Sequence, residues 1–194
     1  MEINKKDFDF IYKQLKSFED QREDMIKGSR DIIRLSKQAI NSVHRKELEK
    51  AKGYLDDMKG KINHLDDGIK DKKLSYSGQY RVMIQEYIEA LSYYELIANG
   101  KLPEFKGLDI DPEYYLLGLA DLSGELMRKA TNSAIDNDFE RVIEIKDFLS
   151  EIYSMFMQFD FRNGELRKKF DGMKYDLKKV EDLVFQLKVN GKIQ

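Results

Sequence analysis

Tyr114-Tyr115-Leu116-Leu117-Gly118-Leu119-Ala120-Asp121-Leu122-Ser123-Gly124-Glu125-Leu126-Met127 is the most apolar run of the chain, and it carries two carboxylates four residues apart. That spacing is close to one helical turn, so Asp121 and Glu125 share a face. Just upstream, Asp111-Pro112-Glu113 supplies a cap, a proline at the first helical position and an acid in the first turn. A helix is therefore predicted from Pro112 to about Ala134. A second stretch has the same character. In Tyr80-Arg81-Val82-Met83-Ile84-Gln85-Glu86-Tyr87-Ile88-Glu89-Ala90-Leu91, Glu86 and Glu89 lie three residues apart among apolar and aromatic neighbours. An ionised carboxylate left unpaired in such surroundings costs several kcal/mol or more. Something positive is expected between these two helices.

Working outward, the same three-four periodicity accounts for the rest of the chain. From Asp7 to about Lys46, apolar residues recur at Phe8, Ile11, Leu15, Phe18, Met25, Ile32, Ala39 and Val43, which predicts one long amphipathic helix. Gly28 is expected to bend it. Its second half, with Arg30, Arg34, Lys37, His44 and Arg45, is basic. Ala51, Leu55, Met58, Ile62, Leu65 and Ile69 form the narrow seam of a second helix, weakened by Gly53, Gly60 and Gly68. Leu74–Gly78 reads as a turn, Tyr80–Asn99 as the third helix closed by Asn99-Gly100, and Lys101–Ile110 as a loop. The fifth helix carries Phe139, Val142, Ile143, Leu149, Ile152, Phe156 and Phe159, and Arg162-Asn163-Gly164 breaks it. The last has the cleanest stripe, Leu166, Phe170, Met173, Leu177, Val180, Val184 and Leu187, with Arg167, Lys168, Lys169, Lys174, Lys178 and Lys179 assigned to its outer face. No strand or internal repeat is predicted. The expected fold is an all-α, antiparallel helical bundle, with residues 1–194 forming one domain.

Composition narrows the classes. The 194 residues include 34 basic and 36 acidic side chains, 41% hydrophobic residues, two prolines and no tryptophan. This is the balance of a soluble helical protein, and the net charge of -2 neither requires nor excludes a nucleic-acid partner. The absence of cysteine removes disulfides and thiolate metal sites. No stretch approaches the roughly 18 apolar residues of a membrane span, and no signal-peptide pattern opens the chain. The expectation is a cytoplasmic protein.

An isolated acidic pair at helical spacing ordinarily caps a helix or bridges a surface lysine. Two pairs on apolar helices suggest convergence instead, and four oxygen ligands suit Mg²⁺ or Mn²⁺. Such a site could polarise a phosphate and activate water. Basic residues would then hold a single strand by charge, with Tyr76 and Tyr80 available for stacking bases. His44 and His64 read as surface or capping residues. Neither has the Glu three positions earlier that a ferritin-like di-iron bundle needs: Asn41 and Lys61 occupy those places. A helical nucleotide pyrophosphohydrolase is a further candidate through Glu86-x-x-Glu89, but Asp121-x-x-x-Glu125 departs from the Glu-x-x-Asp pattern expected beside it. The remaining candidate is a non-catalytic nucleic-acid-binding scaffold with structural carboxylates.

At these residues the chain resembles the translin family, which includes translin, translin-associated factor X and archaeal relatives. The match is carried by Gln85-Glu86-Tyr87-Ile88-Glu89-Ala90, by Tyr115 to Arg128, by Ser29-Arg30-Asp31-Ile32, and by Leu166 to Glu181. The last of these is more like translin, whereas the Tyr115–Arg128 segment is more like factor X. The resemblance implies a Mg²⁺-dependent endoribonuclease acting on single-stranded RNA, with Glu86, Glu89, Asp121 and Glu125 as metal-binding and catalytic residues. It places Lys37 and Arg128 close to the substrate, while the charge pattern itself offers Arg30, Arg34 and Lys37 as phosphate contacts, with single-stranded DNA as a further candidate ligand. It also implies a seven-helix fold assembled into a closed homo-octamer, whereas the periodicity yields six helices.

Overall fold

The computed structural model describes residues 3–69 and 71–193. They form six α-helices: α1 Lys5–His44, α2 Leu48–Gly68, α3 Gly78–Asn99, α4 Pro112–Ile135, α5 Phe139–Phe156 and α6 Glu165–Val189. Two short 3₁₀ turns, Lys72–Tyr76 and Phe105–Gly107, lie in the connections flanking α3. No strand occurs among the described residues, and no helix there is long and apolar enough to cross a membrane. The helix count follows the periodicity rather than the seven that the resemblance implies.

The boundaries have local causes. Asp111 accepts from the Glu113 amide at 2.8 Å with Pro112 behind it, and Ser77 accepts from the Tyr80 amide at 3.3 Å. Gly100, at φ 69°, ends α3 by returning its N–H to Leu96, a conformation in which a side chain would be strained.

Helix directions follow from register. In α1 and α3, Ser29 meets Met83, Ser36 meets Glu86 and His44 meets Tyr93, so the two run the same way. In α3 and α4, Tyr80 packs on Tyr114 and Gln85 reaches Asp121, again in parallel. The antiparallel pairs are the hairpins, among them α1–α2, where Gly28 lies against Leu65, and α5–α6, where Tyr153 stacks on Phe170. A parallel α3–α4 pair requires the chain to travel back along the bundle. The 22 residues of α3 span about 33 Å, and the connection 100–111, at ~3.3 Å per residue, reaches about 40 Å. Tyr115 ties that loop down by donating to the Pro103 carbonyl at 2.9 Å.

One expectation about α1 is corrected, and Gly28 has a packing role. The helix runs through Gly28 unbroken, and a Cβ there would stand 2.6 Å from Leu65 Cδ1, so this glycine serves close packing of α2. The N-terminal part of the predicted apolar stripe is not buried: Phe8 is 65% exposed and Leu15 64%. From Met25 onward the stripe joins the core. The reason is reach, because α1 has 40 residues and its partner α2 has 21.

Candidate functional site

The site forms beside a close approach of α3 and α4. At Gly118 a Cβ would lie 2.6 Å from Ile88 Cβ and 2.8 Å from the Gln85 carbonyl oxygen, so only glycine allows this approach. One turn further along α4 comes Asp121, and one turn further along α3 comes Glu89. The four carboxylates predicted from spacing therefore gather on one stretch of the α3–α4 seam.

Their electrostatics differ. Burial pushes the Glu89 carboxyl up to about 8, with Asp121, Glu86 and Glu125 adding to the rise and Lys169 opposing it. Glu89 has no hydrogen-bond or ion-pair partner among the described residues. Glu86 accepts from Ser36 Oγ at 2.7 Å, a contact delivered by α1. Both oxygens of Asp121 are engaged, Oδ1 by Lys169 Nζ at 2.5 Å and Oδ2 by the Gln85 amide nitrogen. Gln85 Oε1 is buried and has no hydrogen-bond partner among the described residues. Glu125 Oε2 lies 2.5 Å from His44 Nε2 and 3.6 Å from Arg128 Nη1. The hydrogen bond from His44 is the main cause holding the Glu125 carboxyl below its usual range, and Arg128 adds to it. The other imidazole nitrogen, Nδ1, is 3.0 Å from Tyr93 Oη. A carboxylate can only accept, which places a proton on Nε2; in the neutral ring Nδ1 then accepts from the Tyr93 hydroxyl.

The sequence reading needs correction at three residues. His44, expected at the surface, has a side chain only 5% exposed and is wedged between Tyr93 and Glu125. Lys169, assigned to the outer basic face of α6, turns inward onto Asp121. Both had a signal in their spacing: Lys169 is three residues after Leu166 and four before Met173, and His44 is four after Ile40, each on an apolar face. Tyr80 is bonded to Asp66 and packed on Tyr114, so it is not open to a base, whereas Tyr76 is exposed. His64 is exposed as expected.

Of the predicted basic contacts, Arg128 stands beside the carboxylates. Arg30, Arg34 and Lys37 line one shallow depression on the outer side of α1, together with Ile33, Gln38 and Asn41. Lys37 directly follows Ser36, the residue that binds Glu86.

The donor set is four carboxylates, chemistry that suits a hard divalent cation, and the charge crowding visible at Glu89 is of the kind such an ion relieves. As the side chains stand, no three or more His, Asp or Glu among the described residues are drawn together closely enough to hold a metal ion.

An all-α bundle with a parallel α3–α4 seam is a fold that this protein shares with known helical proteins. The translin family model matches residues 20–191, and the chain belongs to that family. It is similar to translin from Homo sapiens, 42% identical over 86 residues, which cover 44% of this chain and 38% of the relative. The chain thus matches about two fifths of the length of the translins it aligns with. A protein of Methanocaldococcus jannaschii is 31% identical over 85% of this chain and 75% of its own length. Translin-associated protein X from Mus musculus is 29% identical over 95% and 78%. Among solved structures, apo-NeC3PO superimposes with a TM-score of 0.84 at 25% identity, covering 96% of this chain and 98% of its own. AfC3PO in complex with duplex RNA gives 0.80 at 25% identity, covering 94% and 97%.

Proposed function

We propose that this protein is a Mg²⁺-dependent endoribonuclease for single-stranded RNA that works as a homo-oligomer in the cytoplasm. The observation that carries the reading is the gathering of Glu86, Glu89, Asp121 and Glu125 on one seam, close enough that three of them perturb the fourth. Carboxylates crowded in this way and set on rigid helices are costly for a fold and useful for a cation. A bound Mg²⁺ or Mn²⁺ would neutralise charge on a phosphodiester and activate water. The chain's own residues do the positioning. Ser36 orients Glu86, the Tyr93–His44 pair orients Glu125, and Gln85 orients Asp121. Arg128 at the cluster, with Arg30, Arg34 and Lys37 on α1, would hold strand phosphates by charge, and exposed Tyr76 offers a face for stacking. The RNA complex of the structural relative AfC3PO supports an RNA ligand. The exposed apolar residues Phe8, Ile11 and Leu15 support assembly, because a single chain leaves them in water.

A second reading is favoured by one observation: Glu86, Asp121 and Glu125 already have protein partners, as structural carboxylates in a nucleic-acid-binding scaffold would. Labelled single-stranded RNA incubated with Mg²⁺, with EDTA, and with Asp121→Ala separates the two. Cleavage that requires both the ion and Asp121 is expected. Binding without cleavage under every condition supports the scaffold instead.

A further inference from the structure

The carboxylate cluster already contains a cation that the protein supplies. Lys169 reaches it because α6 packs beside α4 in parallel, a register fixed further along by Ser123 Oγ donating to Asp176 at 2.9 Å. Unlike the exposed Arg167, Lys168, Lys174 and Lys178, it rides on the apolar face of α6, between Leu166 and Met173. Its ammonium lies 2.5 Å from Asp121 Oδ1, with both side chains about three-quarters buried. The other Asp121 oxygen belongs to Gln85. The lysine's charge also reaches Glu89, where it opposes the three other carboxylates. With Lys169 in this position, no three acidic or imidazole groups among the described residues stand close enough to hold an ion.

We propose that Lys169 is a tethered counter-cation: it occupies the cation position at Asp121 and leaves when a divalent cation binds, so metal uptake exchanges a protein ammonium for the ion. This rests on the metal-dependent reading of the site given above. An ammonium and a divalent cation on this largely buried carboxylate compete, since like charges a few ångströms apart repel strongly where water screens poorly and the second Asp121 oxygen is already held by Gln85. The exchange gives Lys169 two functions. Before metal arrives it limits repulsion among the four carboxylates and keeps α6 seated, and it sets the metal affinity below what those carboxylates would otherwise reach. A lysine with a purely structural role would have the opposite signature, because its loss would loosen the site and weaken metal binding.

The test is calorimetric titration of the intact protein with Mn²⁺ in the absence of RNA, comparing wild type, Lys169→Met, Lys169→Gln and Lys169→Arg. The two uncharged variants should bind Mn²⁺ more tightly than wild type by at least about tenfold, and the arginine variant, which keeps the charge, should stay near wild type. Methionine and glutamine are independent uncharged replacements, so the result does not depend on one variant folding. Equal or weaker binding in the uncharged variants overturns the exchange and leaves the metal site standing. No Mn²⁺ binding by any of the four proteins overturns the metal site and the exchange together. A structure determined with Mn²⁺ gives a second readout, in which the Lys169–Asp121 separation should exceed the 4.0 Å limit of an ion pair. An unchanged contact beside a bound ion is incompatible with the exchange.

Discussion

The two carboxylate pairs look alike in sequence and behave oppositely in the fold. On α4, Asp121 and Glu125 each receive a cationic or imidazole partner from another helix, Lys169 from α6 and His44 from α1. On α3, among the described residues, Glu86 receives only a hydroxyl and Glu89 no partner, while burial pushes Glu89 up to about 8. The lesson is that helical spacing decides which acids share a face, and the neighbouring helices decide their charge. A site built in this way contains one pair that is compensated before any ligand arrives and another that gains most from an added cation.

The largest expected effect follows from Glu89. Its ordinary value is 4.5 and its folded value about 8, so between them the folded chain holds a proton that the unfolded chain has lost. Its stabilising contribution is full below pH 4.5 and disappears as pH rises to about 8. At ~1.4 kcal/mol per unit, that difference amounts to about 4–5 kcal/mol in the metal-free protein. Urea unfolding across this range should show the decline, Glu89→Gln should flatten it, and saturating Mg²⁺ should oppose it. Glu125 runs the other way. With its value lowered, it stabilises above pH 4.5 and loses that contribution as pH falls through its folded value, an acid-side loss that Glu125→Gln should remove. A wild-type midpoint that does not vary between pH 4.5 and 8 would erase the contrast between the pairs.

Next in size is Gly118→Val, which drives a branched side chain into Ile88 and the Gln85 backbone and separates the two pairs. A loss of about 3 kcal/mol is expected in urea unfolding. Gly124→Ala is the control, since its Cβ would meet only Asp176 Oδ2 at an ordinary 3.9 Å, and a gain of up to about 1 kcal/mol is expected. Equal losses from the two glycines would show that the α3–α4 approach is not fixed at Gly118.

His44→Ala leaves the Tyr93 hydroxyl and Glu125 without their shared partner, a cost of about 2 kcal/mol. It should also raise the Glu125 titration midpoint by NMR; an unmoved midpoint would assign the compensation to Arg128 alone. The smallest stability effect belongs to Ile11→Ser combined with Leu15→Ser, within about 0.5 kcal/mol for the exposed part of α1. Light scattering should nevertheless show a smaller assembly, and an unchanged mass would place the contacts between copies elsewhere.

Much of this was legible from residue order. The apolar stripes located all six helices, because burying one face of a helix imposes a three-four period wherever the chain packs. The capping at Asp111 and the αL glycine at Gly100 were equally visible, since local hydrogen bonding decides them. The same logic failed for Phe8, Ile11 and Leu15. Their period is correct, but α2 is too short to cover them, and a period cannot report whether a partner extends that far. It also misassigned His44 and Lys169, read as surface residues because their side chains are polar, although their positions lie on apolar faces.

Sequence by itself determined the helices, the pairing of Glu86 with Glu89 and of Asp121 with Glu125 on common faces, and the likeness to the translin family, because these depend on spacing along one chain. Tertiary structure alone decided that the two pairs meet. It did so through a returning loop long enough to lay α4 parallel to α3 and a glycine that lets the helices touch. The same packing chose which acids would be compensated. Lys169 and His44 come from helices distant in sequence, and electrostatic energy depends on separation in space, which residue order does not state.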